Sequence, residues 1–333
     1  MAYQKIGIIG GGAWGTALAQ AVIKSGRDAL LWAFEAGTVR EINEDHLNRT
    51  YLPEISLDPS LRATGELADI AACDAILMVA PAQHTRVIAG ALAKVLPDER
   101  PVVMCSKGIE QTTRKLMSQV MAEALPQAIP AVLSGPSFAA EVANGLPAAL
   151  TLACEKEEMG EALSLALGHA TFRLYWSRDL IGAQIGGAIK NVLAIAAGIV
   201  DGKRLGKNAH AAITTRGFAE MVRFGKALGG RTETLTGLSG LGDLILTCGS
   251  PQSRNMSLGV ALGQGKTLKE ILGARKSVSE GVYTASAVVE IAQNSGLDLP
   301  ICAAVNSVVS GETGVDEAIE ELLARPPRAE LSP

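Results

Sequence analysis

The architecture of this chain is most clearly indicated by its early segment Lys5-Ile6-Gly7-Ile8-Ile9-Gly10-Gly11-Gly12-Ala13-Trp14-Gly15. A short apolar run is followed there by the glycine spacing G-x-G-x-x-G, and residues 16–23 are competent to form a helix. In a dinucleotide-binding fold, Gly10 allows the tight turn, Gly12 lets a pyrophosphate approach the backbone, and Gly15 lets the helix pack closely on the strand. We therefore interpret the segment as a strand, a phosphate-binding turn and a helix. A turn that binds no ligand is the alternative, because glycine-rich turns are common.

Short apolar runs alternate with helical segments through the first half of the chain. Runs this apolar are typical of strands that are buried on both faces, as in a parallel sheet covered by helices. The alternation predicts an α/β fold with an N-terminal Rossmann-type doubly wound sheet, whose ligand crevice lies at the carboxyl ends of the strands. The predicted strands are residues 5–9, 29–32, 75–79, 102–105, 131–134, 149–153 and 172–175.

The character of the sequence changes near residue 180. From there on, Ala, Gly, Leu and Glu recur at helical spacing and the β-branched runs are lost. This pattern predicts an all-helical C-terminal domain. We expect residues 1–182 to form the dinucleotide-binding Rossmann domain and residues 183–325 to form a helical substrate-binding domain. Residues 326–333 contain prolines and charges and are expected to be a loose tail.

The composition limits the classes of ligand and of compartment. A net charge of −4 leaves no electrostatic footprint for nucleic acid. Five cysteines lie far apart without a C-x-x-C pair and four histidines are scattered, so we expect reduced thiols in a cytoplasmic setting and no metal site. The longest late apolar stretch, residues 192–200, is about half of what a membrane span needs, which favours the buried helix of a soluble protein.

Polar segments follow three of the predicted strands, where an open α/β sheet binds its ligands. These segments are residues 80–83, 106–110 and 134–139. Lys107 directly follows a predicted buried strand and lies between Ser106 and Gly108. A solvated surface lysine is the plain alternative, but this position favours a lysine that belongs to a binding site.

Lys190 interrupts an otherwise apolar helical stretch, residues 185–200, and Asn191 follows it. An ammonium group among apolar side chains costs several kcal/mol unless it is paired or faces a polar cleft. Burial would also lower the pKa of Lys190, which suits a lysine to general acid–base chemistry near neutral pH. A lysine that extends its charged end to water at the edge of the helix is the alternative.

A glycine-rich stretch, residues 236–248, contains Asp243 at the start of a predicted helix. The aspartate has two interpretations of equal weight, as the N-cap of that helix or as an active-site carboxylate. Ser253-Arg254-Asn255 follows shortly. Arg254 has the planar, two-pronged guanidinium that grips a phosphate, with Ser253 and Asn255 as neutral donors beside it.

Taken in order along the chain, these motifs resemble those of NAD(P)-dependent glycerol-3-phosphate dehydrogenase of the bacterial type. Each motif is weak alone, whereas the ordered set is highly specific and covers almost the whole chain. The matching segments are the turn from Gly10 to Gly15 with Trp14, Ile42-Asn43 with Tyr51-Leu52-Pro53, Ser106-Lys107-Gly108, Ser134-Gly135-Pro136-Ser137-Phe138-Ala139, Lys190-Asn191, Thr215-Arg216-Gly217, residues 237–248, Ser253-Arg254-Asn255 and Ser279-Glu280-Gly281.

The resemblance implies oxidation of sn-glycerol 3-phosphate at C2 to dihydroxyacetone phosphate, or the reverse, with NAD or NADP. The reverse direction would supply glycerol 3-phosphate for glycerophospholipid synthesis. By the same resemblance, Lys190 gives and takes the proton at the C2 oxygen, and Lys107 is a second cation near that oxygen and the nicotinamide. Asp243 orients Lys190 or a substrate hydroxyl. A homodimer is implied by the family alone.

Further residues take their roles from the same resemblance. The implied substrate-binding residues are Lys107, Gly135, Ser137, Lys190, Asn191, Asp243, Ser253, Arg254 and Asn255, with Ser253, Arg254 and Asn255 at the phosphate. The implied cofactor-binding residues are Gly10, Gly12, Ala13, Trp14, Gly15, Phe34, Glu35, Lys107, Ala139, Arg254, Val278 and Glu280.

One departure from the bacterial pattern follows the second predicted strand. Bacterial members usually carry a basic or histidine residue there, which can accept a ribose 2′-phosphate, whereas Phe34-Glu35 resembles the NAD-linked branch of the eukaryotic cytosol. Glu35 lies about 20 residues past Gly15, where an acidic side chain binds the ribose 2′-hydroxyl and repels a 2′-phosphate. We therefore expect a preference for NAD over NADP, while nearby Arg40 favours the opposite choice.

Two other functions share parts of this pattern. A β-hydroxyacid or sugar-acid dehydrogenase would also carry the glycine turn and a lysine inside a helix, but it would need a carboxylate-binding site where Arg254 favours a phosphate. A nucleotide-sensing module without catalysis would be expected to lose its proton-transfer group, yet Lys190, Lys107 and Asp243 are all present.

Overall fold

The computed structural model describes residues 3–274, 279–327 and 329, and its N-terminal part is built around one eight-stranded sheet. The strand order is β3-β2-β1-β4-β5-β6-β7-β8, and neighbouring strands run parallel except for the β6–β7 pair. The predicted α/β fold is confirmed. The strands are β1 (Lys5–Ile9), β2 (Asp28–Trp32), β3 (Arg62–Thr64), β4 (Ala75–Met78), β5 (Arg100–Met104), β6 (Ala128–Ser134), β7 (Ala148–Cys154) and β8 (Phe172–Ser177).

The strand order changes direction at β1, and this places the ligand crevice. The chain runs from β1 to β2 and β3 on one side, whereas β4 pairs with the other side of β1. Ile6, Ile8 and Ile9 of β1 are fully buried, as a strand covered on both faces requires. Open α/β sheets bind ligands outside the carboxyl ends of the strands at such a switch point, and the glycine turn follows β1 there.

Helices cover both faces of the sheet. The buried side chains of α1, α6 and α7 pack on one face, and those of α3, α4 and α5 pack on the other. The helices of this part are α1 (Ala13–Lys24), α2 (Ala36–Arg40), α3 (Leu67–Ala71), α4 (Thr85–Ala93), α5 (Met117–Ala124), α6 (Ala139–Ala143) and α7 (Glu157–Leu167).

Two features of the sheet differ from the sequence prediction. Strand β3 was not predicted, because its three residues are too short to form an apolar run. The β6–β7 pair is antiparallel, whereas a fully parallel sheet was expected from the apolar strands. An apolar run reports that a strand is buried and carries no information about its direction.

The described residues after β8 form helices only, as predicted. Helix α8 lies at the centre of this part, and α9, α11, α12 and α14 pack around it. The helices are α8 (Leu180–Gly202), α9 (Lys207–Ala227), α10 (Thr232–Leu235), α11 (Asp243–Gly249), α12 (Arg254–Gly263), α13 (Leu268–Gly273), α14 (Glu280–Asn294), α15 (Pro300–Ser310) and α16 (Val315–Leu323).

Helix α8 is longer than the sequence analysis indicated. It has 23 residues, and by length and composition alone it is long and apolar enough to cross a membrane. Its most apolar window is completely buried by the rest of the described chain. A helix that is apolar on all sides is also typical of the core of a large protein, and here neighbouring helices surround it.

Glycines bring α8 and α12 into close contact. A Cβ atom on Gly198 of α8 would lie 2.1 Å from the carbonyl oxygen of Met256, and one on Gly259 of α12 would lie 2.1 Å from that of Ile195. Real Cβ atoms do not approach a carbonyl so closely, so only glycine permits this separation. The contact holds the start of α12, which carries Arg254, beside the middle of α8.

Substitution of Gly259 by Ala is expected to lower the free energy of unfolding by about 1–3 kcal/mol, because the added methyl group must push two helix backbones apart. Gly90 of α4 is the matched control, since a Cβ atom there meets no atom of the described residues within 4 Å. Gly90→Ala should leave stability unchanged or raise it by up to about 1 kcal/mol. Midpoints of urea unfolding would measure both, and equal midpoints for Gly259→Ala and the wild type would show that the close contact does not matter.

Candidate active site

The glycine turn forms a cradle at the end of β1. Gly10 has a φ of +130°, a conformation that side chains rarely adopt, and a Cβ atom on Gly15 would lie 1.8 Å from the carbonyl oxygen of Gly10. Around Gly12, in contrast, a Cβ atom would meet none of the described atoms within 4 Å. Helix α1 begins at Ala13, and no side chain of the described residues caps it. A helix start without a cap, next to the free space at Gly12, fits an anionic phosphate.

The segment after β2 lies beside this cradle. The Phe34 ring is 83% exposed, and its centroid lies 6.5 Å from that of Trp32. Glu35 is exposed and immediately precedes α2. Trp14, in the first turn of α1, has a buried indole Nε1 without a hydrogen-bond partner among the described residues. An exposed aromatic ring and an acidic side chain thus flank the end of β2.

A carboxylate joins the two predicted lysines. The Nζ atoms of Lys107 and Lys190 each lie 2.6 Å from Asp243, on Oδ2 and Oδ1 respectively. The Asp243 side chain is only 1% exposed. Lys107 follows β5 and also donates to the carbonyl oxygen of Gly135 at 2.9 Å, while Lys190 comes from α8 and also donates to Oγ1 of Thr247 at 2.9 Å. The sheet and the helical part therefore each contribute one cation to a single carboxylate.

The surroundings of Lys190 set its proton affinity. Burial lowers the pKa of Lys190 to about 8, Asp243 opposes this shift, and the positive charge of Lys107 adds to it. A lysine with a pKa close to neutral exchanges its proton readily at physiological pH. The prediction of a buried, perturbed lysine in this helix is confirmed, and the alternative of a lysine that reaches bulk water is wrong.

Asp243 was given two interpretations, and the structure contradicts the first. The N-cap of α11 is Gly242, and Asp243 is the first helical residue with its side chain turned to the lysines. Thr247, one helical turn later, was not predicted. The i, i+4 spacing puts Asp243 and Thr247 on the same face of α11, so this spacing was the available signal.

The predicted site residues Asn191 and Asn255 are hydrogen-bonded to each other. Asn255 donates to Oδ1 of Asn191 at 2.9 Å and accepts from the backbone N–H of Gly281 at 3.1 Å. Asn191 in turn donates to the backbone carbonyl oxygen of Lys107 at 3.1 Å. Ser253 caps α12 by accepting from the N–H of Met256. In this structure Asn191 and Asn255 are already hydrogen-bonded to the protein around Lys107.

Other predicted site residues lie around the same crevice. The carbonyl oxygen of Gly135 also accepts from Oγ of Ser137 at 3.0 Å, and Ala139 begins α6. Glu280 begins α14, and its Oε1 accepts from the N–H of Ala82 at 3.2 Å. Arg254 begins α12. Val278 lies outside the described residues.

Glu280 has an unusual environment for a carboxylate. Its Oε2 atom is buried and has no hydrogen-bond partner among the described residues. Burial raises the pKa of this carboxyl group. A buried acceptor without a donor is costly in the free protein, so this oxygen fits a ligand that brings an N–H or O–H group.

The chain matches two family profiles. They are described as NAD-dependent glycerol-3-phosphate dehydrogenase N-terminus, over residues 5–160, and C-terminus, over residues 179–320. A glycerol-3-phosphate dehydrogenase (NAD(P)+) from Parvibaculum lavamentivorans is 60% identical over 330 residues, which is 99% of each chain. The crystal structure of glycerol-3-phosphate dehydrogenase from Coxiella burnetii superimposes with a TM-score of 0.93 at 37% identity, covering 98% of this chain and 100% of that one.

More distant structures share the fold alone. A D-mandelate dehydrogenase bound to NADH superimposes with a TM-score of 0.62 at 15% identity, covering 92% of this chain and 98% of that one. The glycine turn after β1 and the two lysines on Asp243, one after β5 and one from α8, are typical of a nicotinamide-dependent dehydrogenase. The profile matches and the 60% identity narrow the class, and the chain belongs to the NAD-dependent glycerol-3-phosphate dehydrogenase family.

Proposed function

We propose that Lys190 exchanges the proton on the C2 oxygen when this enzyme interconverts sn-glycerol 3-phosphate and dihydroxyacetone phosphate. Lys107 stabilises the charge that develops on the same oxygen. The observation that carries the proposal is the pair of 2.6 Å contacts from Lys107 and Lys190 to the buried Asp243. The reductive direction supplies glycerol 3-phosphate for glycerophospholipid synthesis.

Oxidation at C2 removes a proton from the hydroxyl oxygen and a hydride from the carbon, and reduction returns both. In the oxidative direction, neutral Lys190 takes the proton from the C2 hydroxyl, and the Lys107 ammonium stabilises the negative charge on that oxygen as the hydride leaves. A bound nicotinamide supplies the hydride acceptor. In the reductive direction, the Lys190 ammonium returns the proton. Asp243 accepts hydrogen bonds from both lysines and holds them in place.

The substrate phosphate needs a different set of groups. We assign the substrate phosphate to Arg254, with Ser253 and Asn255 beside it. Arg254 is the first residue of α12, and these two polar residues are its neighbours in the sequence. A guanidinium binds a phosphate with two parallel hydrogen bonds. Gly135 and Ser137 complete the substrate site from the end of β6. This division makes residues 1–182 the cofactor-binding domain and residues 183–325 the domain that completes the substrate site.

The cofactor site is supported by three features of the protein. The open space at Gly12 and the uncapped start of α1 fit the pyrophosphate, together with Gly10, Ala13, Trp14 and Gly15. Oε2 of Glu280, which has no partner among the described residues, fits a donor such as the nicotinamide carboxamide. Ala139, Arg254 and Val278 are assigned to the same ligand by the family pattern. Phe34 and Glu35 are assigned to the adenosine ribose by the same pattern, and an acidic Glu35 would disfavour a 2′-phosphate.

The cellular setting and the assembly form part of the proposal. All five cysteines are buried and free, which supports a reducing compartment such as the cytoplasm. We also propose a homodimer, by analogy with the family. The partners are small molecules, and the acidic balance of the chain disfavours nucleic acid.

Replacement of Lys190 by Ala is expected to lower kcat by about 10²–10⁴-fold, because the proton-exchanging group is lost. In the wild type, kcat/KM for glycerol 3-phosphate oxidation should rise with pH through a pKa of about 8, since neutral Lys190 is the base. For dihydroxyacetone phosphate reduction it should fall through the same pKa. NADH absorbance at 340 nm measures both directions.

Lys203, directly after α8, is the matched control for that experiment. It pairs with Asp316 away from the lysine pair, so Lys203→Ala should keep kcat within about twofold. Wild-type turnover by Lys190→Ala, or an absence of dihydroxyacetone phosphate reduction by the wild type with either cofactor, would refute the proposal.

Cofactor choice is tested at Glu35. The wild type should show a higher kcat/KM with NADH than with NADPH, because the Glu35 carboxylate repels a 2′-phosphate. Glu35→Gln should narrow this difference by about tenfold, which corresponds to about 1.4 kcal/mol. The exposed Glu44 is the control, and Glu44→Gln should leave the ratio unchanged. Equal or faster turnover of NADPH by the wild type would rule out the assigned role of Glu35.

A further inference from the structure

The Lys107 loop, which we define as residues 105–116, connects β5 to α5 and brings Lys107 to Asp243. We propose that the ion pair between Arg86 and Glu110 is a positioning device, which fixes this loop so that Lys107 and Lys190 share Asp243. Neither Arg86 nor Glu110 touches Asp243. The inference rests on the function proposed above for Lys190.

The contact between Arg86 and Glu110 has the geometry of a strong pair. Nε of Arg86 donates to Oε1 of Glu110 at 2.9 Å, and Nη2 donates to Oε2 at 2.8 Å, so two parallel hydrogen bonds form. Thr113 donates to the same carboxylate. The Glu110 side chain is 5% exposed, and Arg86 lowers the pKa of this carboxyl group. A pair with two parallel hydrogen bonds to a buried carboxylate fixes orientation as well as distance.

Glu110 also organises the backbone of the Lys107 loop. Its N–H donates to the carbonyl oxygen of Lys115 at 3.0 Å, and its own carbonyl oxygen accepts from the N–H of Arg114 at 2.9 Å. Gln83 holds the neighbouring residues, because it donates to the carbonyl oxygen of Ile109 and accepts from the N–H of Gln111. Gln83, just before α4, and Arg86, in the first turn of α4, therefore bind the loop at Ile109, Glu110 and Gln111.

The opposite side of the Lys107 loop is attached to the helical part. Ile109 and Leu116 are buried in the hydrophobic core formed by α8 and its neighbours. Arg114 pairs with Glu290 of α14 at 2.5 Å. Asn191 of α8 donates to the backbone carbonyl oxygen of Lys107. Lys107 lies three residues before Glu110, so a shift of Glu110 would be passed directly to the Lys107 side chain.

A shift of Lys107 has an electrostatic consequence at Lys190. The charged or titratable groups that face Lys190 are Asp243 and Cys248 of α11 and Lys107 of the loop. The Lys107 ammonium lowers the pKa of Lys190, because like charges disfavour each other. If Lys107 moved away from Asp243, the repulsion between the two ammonium groups would decrease and Asp243 would pair with Lys190 alone. The pKa of Lys190 would then rise above its value of about 8.

Glu110→Gln tests the proposal, because it keeps the shape of the side chain but sets an amide N–H₂ against the guanidinium. We expect kcat to fall about tenfold, as a reacting group is displaced by a fraction of an ångström. We also expect the pKa seen in the pH profiles of both directions to move to higher pH. A loss of stability alone would lower the thermal midpoint without moving this pKa.

Glu123→Gln is the matched control: Glu123 contacts the same guanidinium at 2.9 Å and also pairs with Lys115 of the Lys107 loop, but its side chain is 42% exposed, so these pairs hold the loop weakly. It should leave both kcat and the profile pKa unchanged. If Glu110→Gln fails to fold, Arg86→Gln removes the partner from the more exposed side and should give the same upward shift. An unchanged profile pKa in a folded Glu110→Gln or Arg86→Gln enzyme, or an equal shift in Glu123→Gln, would overturn the proposal.

A direct titration separates this inference from the proposed function. NMR of protein labelled at lysine ¹³Cε, with Lys190→Arg to assign the signal, reports the pKa of Lys190 without any turnover. Wild-type activity in Lys190→Ala would refute the catalytic role of Lys190, and the titration would still test the positioning. A Lys190 pKa that rises in Glu110→Gln supports the positioning role, and one that stays at the wild-type value refutes it.

Discussion

The Asp243 carboxylate, shared by two lysines, is the contact on which the active site depends. It receives Lys107 from the end of a strand and Lys190 from the middle of the central helix, so it joins the two parts of the chain at one buried point. Two cations and one anion leave a net positive charge, which suits a site that must stabilise a developing alkoxide and bind a phosphate. Loss of the carboxylate would leave the buried Lys190 and the partly buried Lys107 without their shared partner, which is strongly destabilising.

The surrounding structure holds the three side chains of this contact in place through the sheet, the helices and the Lys107 loop. The strand order places the cofactor cradle and the Lys107 loop at the same edge of the sheet. The glycines between α8 and α12 allow Asn255 to reach Asn191, and Asn191 holds the backbone of Lys107. The Lys107 loop is fixed on one side by α4 and on the other by the helical core. Proton affinity at Lys190 is therefore a property of the whole arrangement and not of one side chain.

Much of this arrangement could be predicted from local patterns. The glycine spacing predicted the cradle, and an ammonium in an apolar helix predicted a buried lysine, because both signals follow from the geometry of a single element. Partners across elements could not be predicted that way. Periodicity gave Asp243 equal weight as a cap and as a site residue, and it did not indicate Glu110 or the direction of β7. Thr247 was missed although its i, i+4 spacing from Asp243 was present in the sequence. The roles of the phosphate-binding residues came from family resemblance, since a Ser-Arg-Asn segment has no distinctive sequence pattern of its own.

The decisive experiment is the titration of Lys190 in the wild type and in Asp243→Asn, by NMR of lysine ¹³Cε. Burial and the charge of Lys107 lower the pKa of Lys190, and Asp243 is the group that opposes them. Removal of the negative charge should therefore move this pKa from about 8 to a lower value. If the pKa of Lys190 stays the same or rises in Asp243→Asn, the shared carboxylate does not control the proton chemistry of this site.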